Sequence, residues 1–191
     1  MCDGRHGSTV PGVDLYTIGH STRPIDEFIA LLHENGVKRL VDVRRFPGSR
    51  QHPQYNLESL RDSLAEAGIA YRHEPDLGGR RSVDPASLNT AWRNSGFRGY
   101  ADWMASDAFL AALDRLTAEA AEQSTAVMCA ESVPWRCHRN LLADALVLRN
   151  AQVAHILGAG QIRLHELNEA AQQDEHGRVT YPASGHQIDL I

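Results

Sequence analysis

Short apolar runs alternate with one-faced periodic stretches along most of this chain. Residues 15–20, Leu15-Tyr16-Thr17-Ile18-Gly19-His20, read as a buried strand that ends on a polar side chain. Ile25, Phe28, Ile29 and Leu32 then recur at i, i+3, i+4 and i+7, which predicts a helix with one apolar face. Ser21 and Thr22 offer capping hydroxyls before it, Pro24 suits a first turn, and Asn35-Gly36 stops it. Residues 37–43 form a second apolar run. Asn56 is placed to cap a helix through Ala67, with Leu57, Leu60 and Leu64 inward and Gly68 as its end. Residues 69–71 give a third short strand. Residues 74–99, rich in Gly, Pro, Arg and Asp, are expected to be a long loop with one helix around 85–94. A helix over 100–122 follows, then a fourth strand at 125–129, a helix over 134–149, a fifth strand at 152–157 and a short element at 162–167.

Strands alternating with helices at this spacing predict βαβ units. The expected fold class is α/β: a single three-layer domain with a mostly parallel sheet of about five strands between helices. Residues 1–13 are expected to be a flexible N-terminal arm, 14–171 the α/β domain, and 172–191 a polar C-terminal tail of irregular or edge structure.

Composition narrows the function classes. No stretch approaches the roughly 20 apolar residues that span a bilayer, and residues 1–12 contain no apolar signal region. The expectation is therefore a cytoplasmic protein with no membrane partner. Three cysteines, Cys2, Cys129 and Cys137, form an odd set without disulfide-framework spacing, which in a reducing compartment means free thiols or ligands. The formal net charge of −5 argues against a generic nucleic-acid coat. All but one of the 19 basic residues are arginines, and Lys38 is the exception.

In open parallel sheets ligands bind at the carboxyl ends of the strands. Those ends carry His20 and Ser21 on the first strand, Asp42, Arg44 and Arg45 on the second, and Cys129 and Glu131 on the fourth. If the strands are neighbours, one crevice collects a thiol, carboxylates, an imidazole and guanidinium groups. Cys129 precedes a loop that enters a helix, where backbone N–H groups and the positive helix end stabilise thiolate. It is open to three readings: nucleophile, thiol lining a ligand pocket, or small core residue. The loop that follows, Ala-Glu-Ser-Val-Pro-Trp-Arg, lacks glycine, holds a carboxylate and puts its arginine one residue beyond phosphatase spacing. Cys137-His138-Arg139 opens the next helix. Cys137 and His138, adjacent in its first turns, are expected to face about 100° apart and not to share one small site. The Cys-x7-Cys spacing is not a usual metal spacing, so no metal ligands are assigned and the sequence identifies no cofactor. Arginines in the loops at 44–50, 80–81 and 98, beside Gly78-Gly79 and Tyr100, are suited to gripping phosphate and stacking on bases.

In order along the chain stand Tyr16-Thr17-Ile18-Gly19-His20-Ser21, Val41-Asp42-Val43-Arg44 with Pro47 and Ser49, and Gly68-Ile69-Ala70-Tyr71 leading to Leu77-Gly78-Gly79. Gly96-Phe97-Arg98-Gly99-Tyr100-Ala101-Asp102-Trp103-Met104 and Met128-Cys129-Ala130-Glu131 with Cys137-His138-Arg139 complete the set. With these segments, spread over about residues 15–157, the chain resembles the domain of unknown function 488 family. The resemblance implies an α/β domain whose motif residues gather around one pocket.

The first expectation is an enzyme acting on a phosphate-bearing substrate, a nucleotide or nucleic acid. Cys129, Glu131, His20 and His138 would be its catalytic groups, and Ser21, Asp42, Arg44, Arg45, Arg98, Tyr100, Cys137 and Arg139 its substrate-binding groups. The alternatives are a non-catalytic nucleotide or nucleic-acid binding module and a metal-binding or redox-active dithiol protein.

Overall fold

The computed structural model describes residues 12–183. The N-terminal arm, apart from Gly12 and Val13, lies outside the described residues, as do residues 184–191 of the tail. Six strands form one sheet: β1 (Leu15–Gly19), β2 (Arg39–Asp42), β3 (Ala70–His73), β4 (Thr125–Cys129), β5 (Val153–Gly158) and β6 (Gln161–Leu164). Their order is β3-β2-β4-β1-β5-β6. All neighbours run parallel except β5 and β6, which make an antiparallel hairpin. The fold is therefore α/β with a mostly parallel sheet, as expected, and the short element after Gly160 supplies the sixth strand.

Period-two alternation sorts the side chains onto two faces. Tyr16, Ile18, Leu40, Met128 and Ile156 pack with Phe28, Leu31 and Leu32 of α1 (Ile25–Glu34) and Leu60 and Leu64 of α2 (Leu57–Glu66). Leu15, Val41, Val127 and Val153 pack on the opposite layer, formed by α3 (Ser95–Met104), α4 (Asp107–Glu122) and α5 (Arg139–Val147).

Several local expectations change. Ser21 and Thr22 do not cap α1. Ser21 turns with φ 51°, and Pro24 occupies the cap position without a side-chain hydrogen bond. The Asn56 Oδ1 accepts from the Ser49 backbone N–H at 2.7 Å, pinning the preceding loop instead of capping α2. The predicted helix at 85–94 is absent, because Asp84, Ser87 and Asn89 spend their polar groups on local turns and on Asp102. The helix expected over 100–122 is two helices. Asn94 caps α3, and Ser106 caps α4 by accepting from the Phe109 N–H. The helix expected from residue 134 begins as a 3₁₀ turn, Pro134–Arg136, and α5 proper starts at Arg139. In the polar tail, Gln172–Gln173 (β7) pairs with Val179–Thr180 (β8), and Tyr181 is fully buried against Trp92.

Candidate functional site

β4 lies between β2 and β1, so the three strand ends named by the sequence do meet. Beyond the ladders, the backbone N–H groups of His20 and Val43 donate to the Cys129 and Met128 carbonyls at 3.0 Å, and Ser21 N–H donates to the Ala130 carbonyl at 2.9 Å. The end of β4 is thus gripped on both sides. Gly19 is required here. A Cβ at that position would sit 1.8 Å from the Glu131 carbonyl oxygen, so only glycine lets the cysteine loop fold back over β1.

A cleft of about 360 Å³ opens above these strand ends. Cys129, Cys137 and His138 line it, together with Arg44, Arg45, Arg80, Glu131 and Arg136. The Nδ1 of His138 lies 3.9 Å from the Cys129 Sγ and 3.7 Å from the Cys137 Sγ. The expected 100° divergence of Cys137 and His138 does not occur, because Cys137 precedes the helix. It is extended (φ −136°, ψ 146°), and only His138 turns helical (φ −56°, ψ −17°). Among the described residues this is the cluster of three metal-ligating side chains that the fold assembles. The imidazole rests against Gly79, where a Cβ would come 2.8 Å from Nδ1, and 4.9 Å from the ring of buried Tyr100.

The two thiols are buried and share their titration. The hydrogen bond to Cys137, reinforced by burial, pushes the Cys129 thiol up. Burial also raises Cys137, but the hydrogen bond from Cys129 and the neighbouring His138 and Arg139 outweigh it and bring Cys137 well down. Their mutual hydrogen bond thus moves the two thiols in opposite directions. Arg139 favours the anionic form of both. It is 1 % exposed and bonds only neutral oxygens, its Nη1 donating to Thr17 Oγ1 at 3.2 Å and its Nη2 to the Glu131 carbonyl at 2.5 Å. A buried guanidinium with no carboxylate partner among the described residues favours a nearby anion.

The other expected site residues have different places. Arg44 is committed to Asp42, donating from Nε at 2.9 Å and Nη2 at 2.6 Å, and it also donates to the Tyr55 carbonyl. Tyr71 donates to the same carboxylate, so Asp42 and Arg44 form a closed wall. His20 stacks on Tyr55 at 4.0 Å and its Nδ1 meets the Ser21 carbonyl, outside the cleft lining. Burial holds its pKa down at about 4, which keeps it neutral. Arg98 donates twice to the Trp92 carbonyl and braces the loop rather than the cleft. Tyr100 donates to the Leu77 carbonyl and supports His138 from behind. Ser21 joins the site through its backbone alone.

Arg45, Arg80 and Arg136 are exposed at the rim, and none has a carboxylate partner among the described residues. Three guanidinium groups thus face one lining carboxylate, Glu131. Arg80 and Arg136 are not among the expected site residues, since nothing local in the sequence marks which loop arginines converge.

One buried network had no sequence signal. Thr17 Oγ1 meets His155 Nδ1 at 2.7 Å, His155 Nε2 meets His165 Nδ1 at 3.0 Å, and His165 Nε2 meets Asp144 Oδ1 at 2.8 Å. Tyr181 donates to the other Asp144 oxygen at 2.9 Å. Through Thr17 this network sets the position of Arg139, and with it the charge beside the thiols.

A family model described as "Domain of unknown function DUF488" matches residues 24–146, a span that includes Arg44, Arg45, Cys129, Glu131, Cys137 and His138. No curated protein and no solved structure matches the chain. No described helix is long and apolar enough to cross a membrane. By the match over most of its length, the chain belongs to the domain of unknown function 488 family.

Proposed function

We propose that this protein is an enzyme acting on a phosphate-bearing substrate, a nucleotide or a piece of nucleic acid, in the cleft above β2, β4 and β1. The observation that carries the reading is the meeting of two opposite features in one cavity. Its floor is a thiol pair with an imidazole, and its rim is three arginines without carboxylate partners among the described residues. Guanidinium forks grip phosphate oxygens in pairs. A phosphate held by Arg45, Arg80 and Arg136 brings the rest of the substrate over Cys129, Cys137 and His138. Glu131, exposed on the same wall, supplies a carboxylate within the cleft for moving protons.

Calorimetric titration with inorganic phosphate, nucleotides and short oligonucleotides tests the binding half. Arg45→Ala and Arg136→Ala are expected to weaken binding by roughly 10-fold each, the worth of a charge-assisted hydrogen bond. A screen for phosphoester cleavage and transfer tests the catalytic half, with Cys137→Ser and Glu131→Gln expected to abolish turnover while binding persists. Binding without turnover would favour the non-catalytic module. Failure of the arginine variants to change affinity would remove the reading altogether.

A further inference from the structure

We infer that Cys129 Sγ, Cys137 Sγ and His138 Nδ1 are three ligands of a zinc-class divalent metal ion, with the fourth coordination position opening into the arginine-rimmed cleft. The inference deepens the proposed function by naming what the reactive floor of the cleft is, but its geometry stands without any substrate.

The distances fit. Tetrahedral zinc holds sulfur at ~2.3 Å and imidazole nitrogen at ~2.0–2.1 Å, so its sulfur–nitrogen ligand edges are about 3.5 Å. The two edges here are 3.7 and 3.9 Å, and all three ligand atoms lie within 4.8 Å of one another. Both sulfur–nitrogen edges are thus within a few tenths of an ångström of the tetrahedral value. The donor set fits as well. Two thiolates and an imidazole suit zinc and disfavour magnesium or calcium, which take oxygen. Three protein ligands with one position left over are the pattern of catalytic zinc, whereas structural sites are closed by four.

Backbone devices converge on the same three atoms. The Cys-x7-Cys spacing reaches across the site because the intervening chain makes a 3₁₀ turn, with the Cys137 N–H donating to the Pro134 carbonyl at 2.9 Å. Gly79 leaves room for the imidazole directly over the thiols. The Nε2 of His138 is buried without a partner, so the ring's polar contacts among the described residues are the two sulfurs, made through Nδ1. Arg139, buried and outside the cleft lining, adds a fixed positive charge that favours both thiolates.

The full chain, purified under reducing conditions, would be analysed for metal by mass spectrometry and then, after chelation, titrated with Co²⁺. One equivalent of zinc per chain, or a saturable one-to-one thiolate-to-cobalt charge-transfer band with tetrahedral d–d absorption, is expected. Cys129→Ser, Cys137→Ser and His138→Ala should each abolish the tetrahedral spectrum. Because those variants can also disturb the core, Gly79→Ala provides a second arm. Its methyl displaces the imidazole and leaves both thiols intact, so cobalt affinity should fall about 10-fold with the far-ultraviolet circular dichroism unchanged. The inference is overturned if the wild-type chain neither retains zinc nor develops the cobalt band. It is equally overturned if the band survives in both cysteine variants. Metal uptake without phosphoester turnover would leave this inference intact and remove the proposed function; turnover by a wild-type chain that takes up neither zinc nor cobalt would do the reverse.

Discussion

At the scale of single residues, Arg80 shows how the cleft is set against local comfort. It adopts φ 59°, a left-handed conformation that costs a non-glycine residue about 1–2 kcal/mol. The turn leaves its carbonyl accepting from Arg45 Nη1 at 2.7 Å, so two rim arginines are fixed relative to each other by backbone geometry. Arg80→Gly should raise unfolding stability by about 1 kcal/mol in urea denaturation. The same variant should weaken phosphate binding measured by calorimetry. A stability gain without a loss of affinity would mean that Arg80 has no part in holding the ligand. The committed ion pair of Asp42 and Arg44 is the opposite case, a charged pair whose hydrogen bonds are turned inward and whose role is to shape the wall.

At the scale of elements, the order of strands and helices was legible from periodicity, because buried strands and one-faced helices leave different spacings in the chain. The strand-end rule then found the cleft, and it found Cys129, Glu131, Arg44 and Arg45 lining it. What the pattern could not carry was the competition for polar groups. Asn56 looks like a cap and is taken by Ser49, while Asn94, inside a stretch read as helix, is the cap of α3. Cys137 and His138 share the site because the chain turns helical one residue later than the sequence pattern implies. The histidine network was invisible, since Thr17, Asp144, His155 and His165 are brought together only by tertiary structure. That network joins α5 to the end of the β5–β6 hairpin and to the segment holding Tyr181. Asp144→Ala should therefore be severe. It strands three donors, from buried Tyr181 and from the part-buried His165 ring and Asn168 backbone, and should cost roughly 3 kcal/mol in chemical denaturation.

At the scale of the molecule, two buried histidines make the fold acid-sensitive. Burial lowers His20 to about 4 and His155 to about 3, both below the ordinary value of 6.5. The unfolded chain takes up protons on these rings before the folded chain does, so their contribution to stability is full above about pH 6.5. It is lost progressively as the pH falls toward 4 and then 3. The melting temperature should decline over that window, and His20→Gln should flatten the part of the decline above pH 4. A melting temperature independent of pH between 6.5 and 4 would contradict the assignment of a neutral, buried His20.

The strand order has a further meaning for how the protein comes to exist. β1 and β2 never touch as partners; each is paired to β4, which arrives more than eighty residues after β2. A nascent chain that has left the ribosome only as far as α4 carries two strands with open inner edges and nothing to join them. The strand that fills the gap is the one that ends in Cys129. Cys129 is thus delivered by the strand that completes the middle of the sheet, and Cys137 follows it after the 3₁₀ turn. Pulsed hydrogen exchange during refolding should find the inner amides of β1 and β2 gaining protection together with those of β4, so that the cleft is born in the same event as the fold.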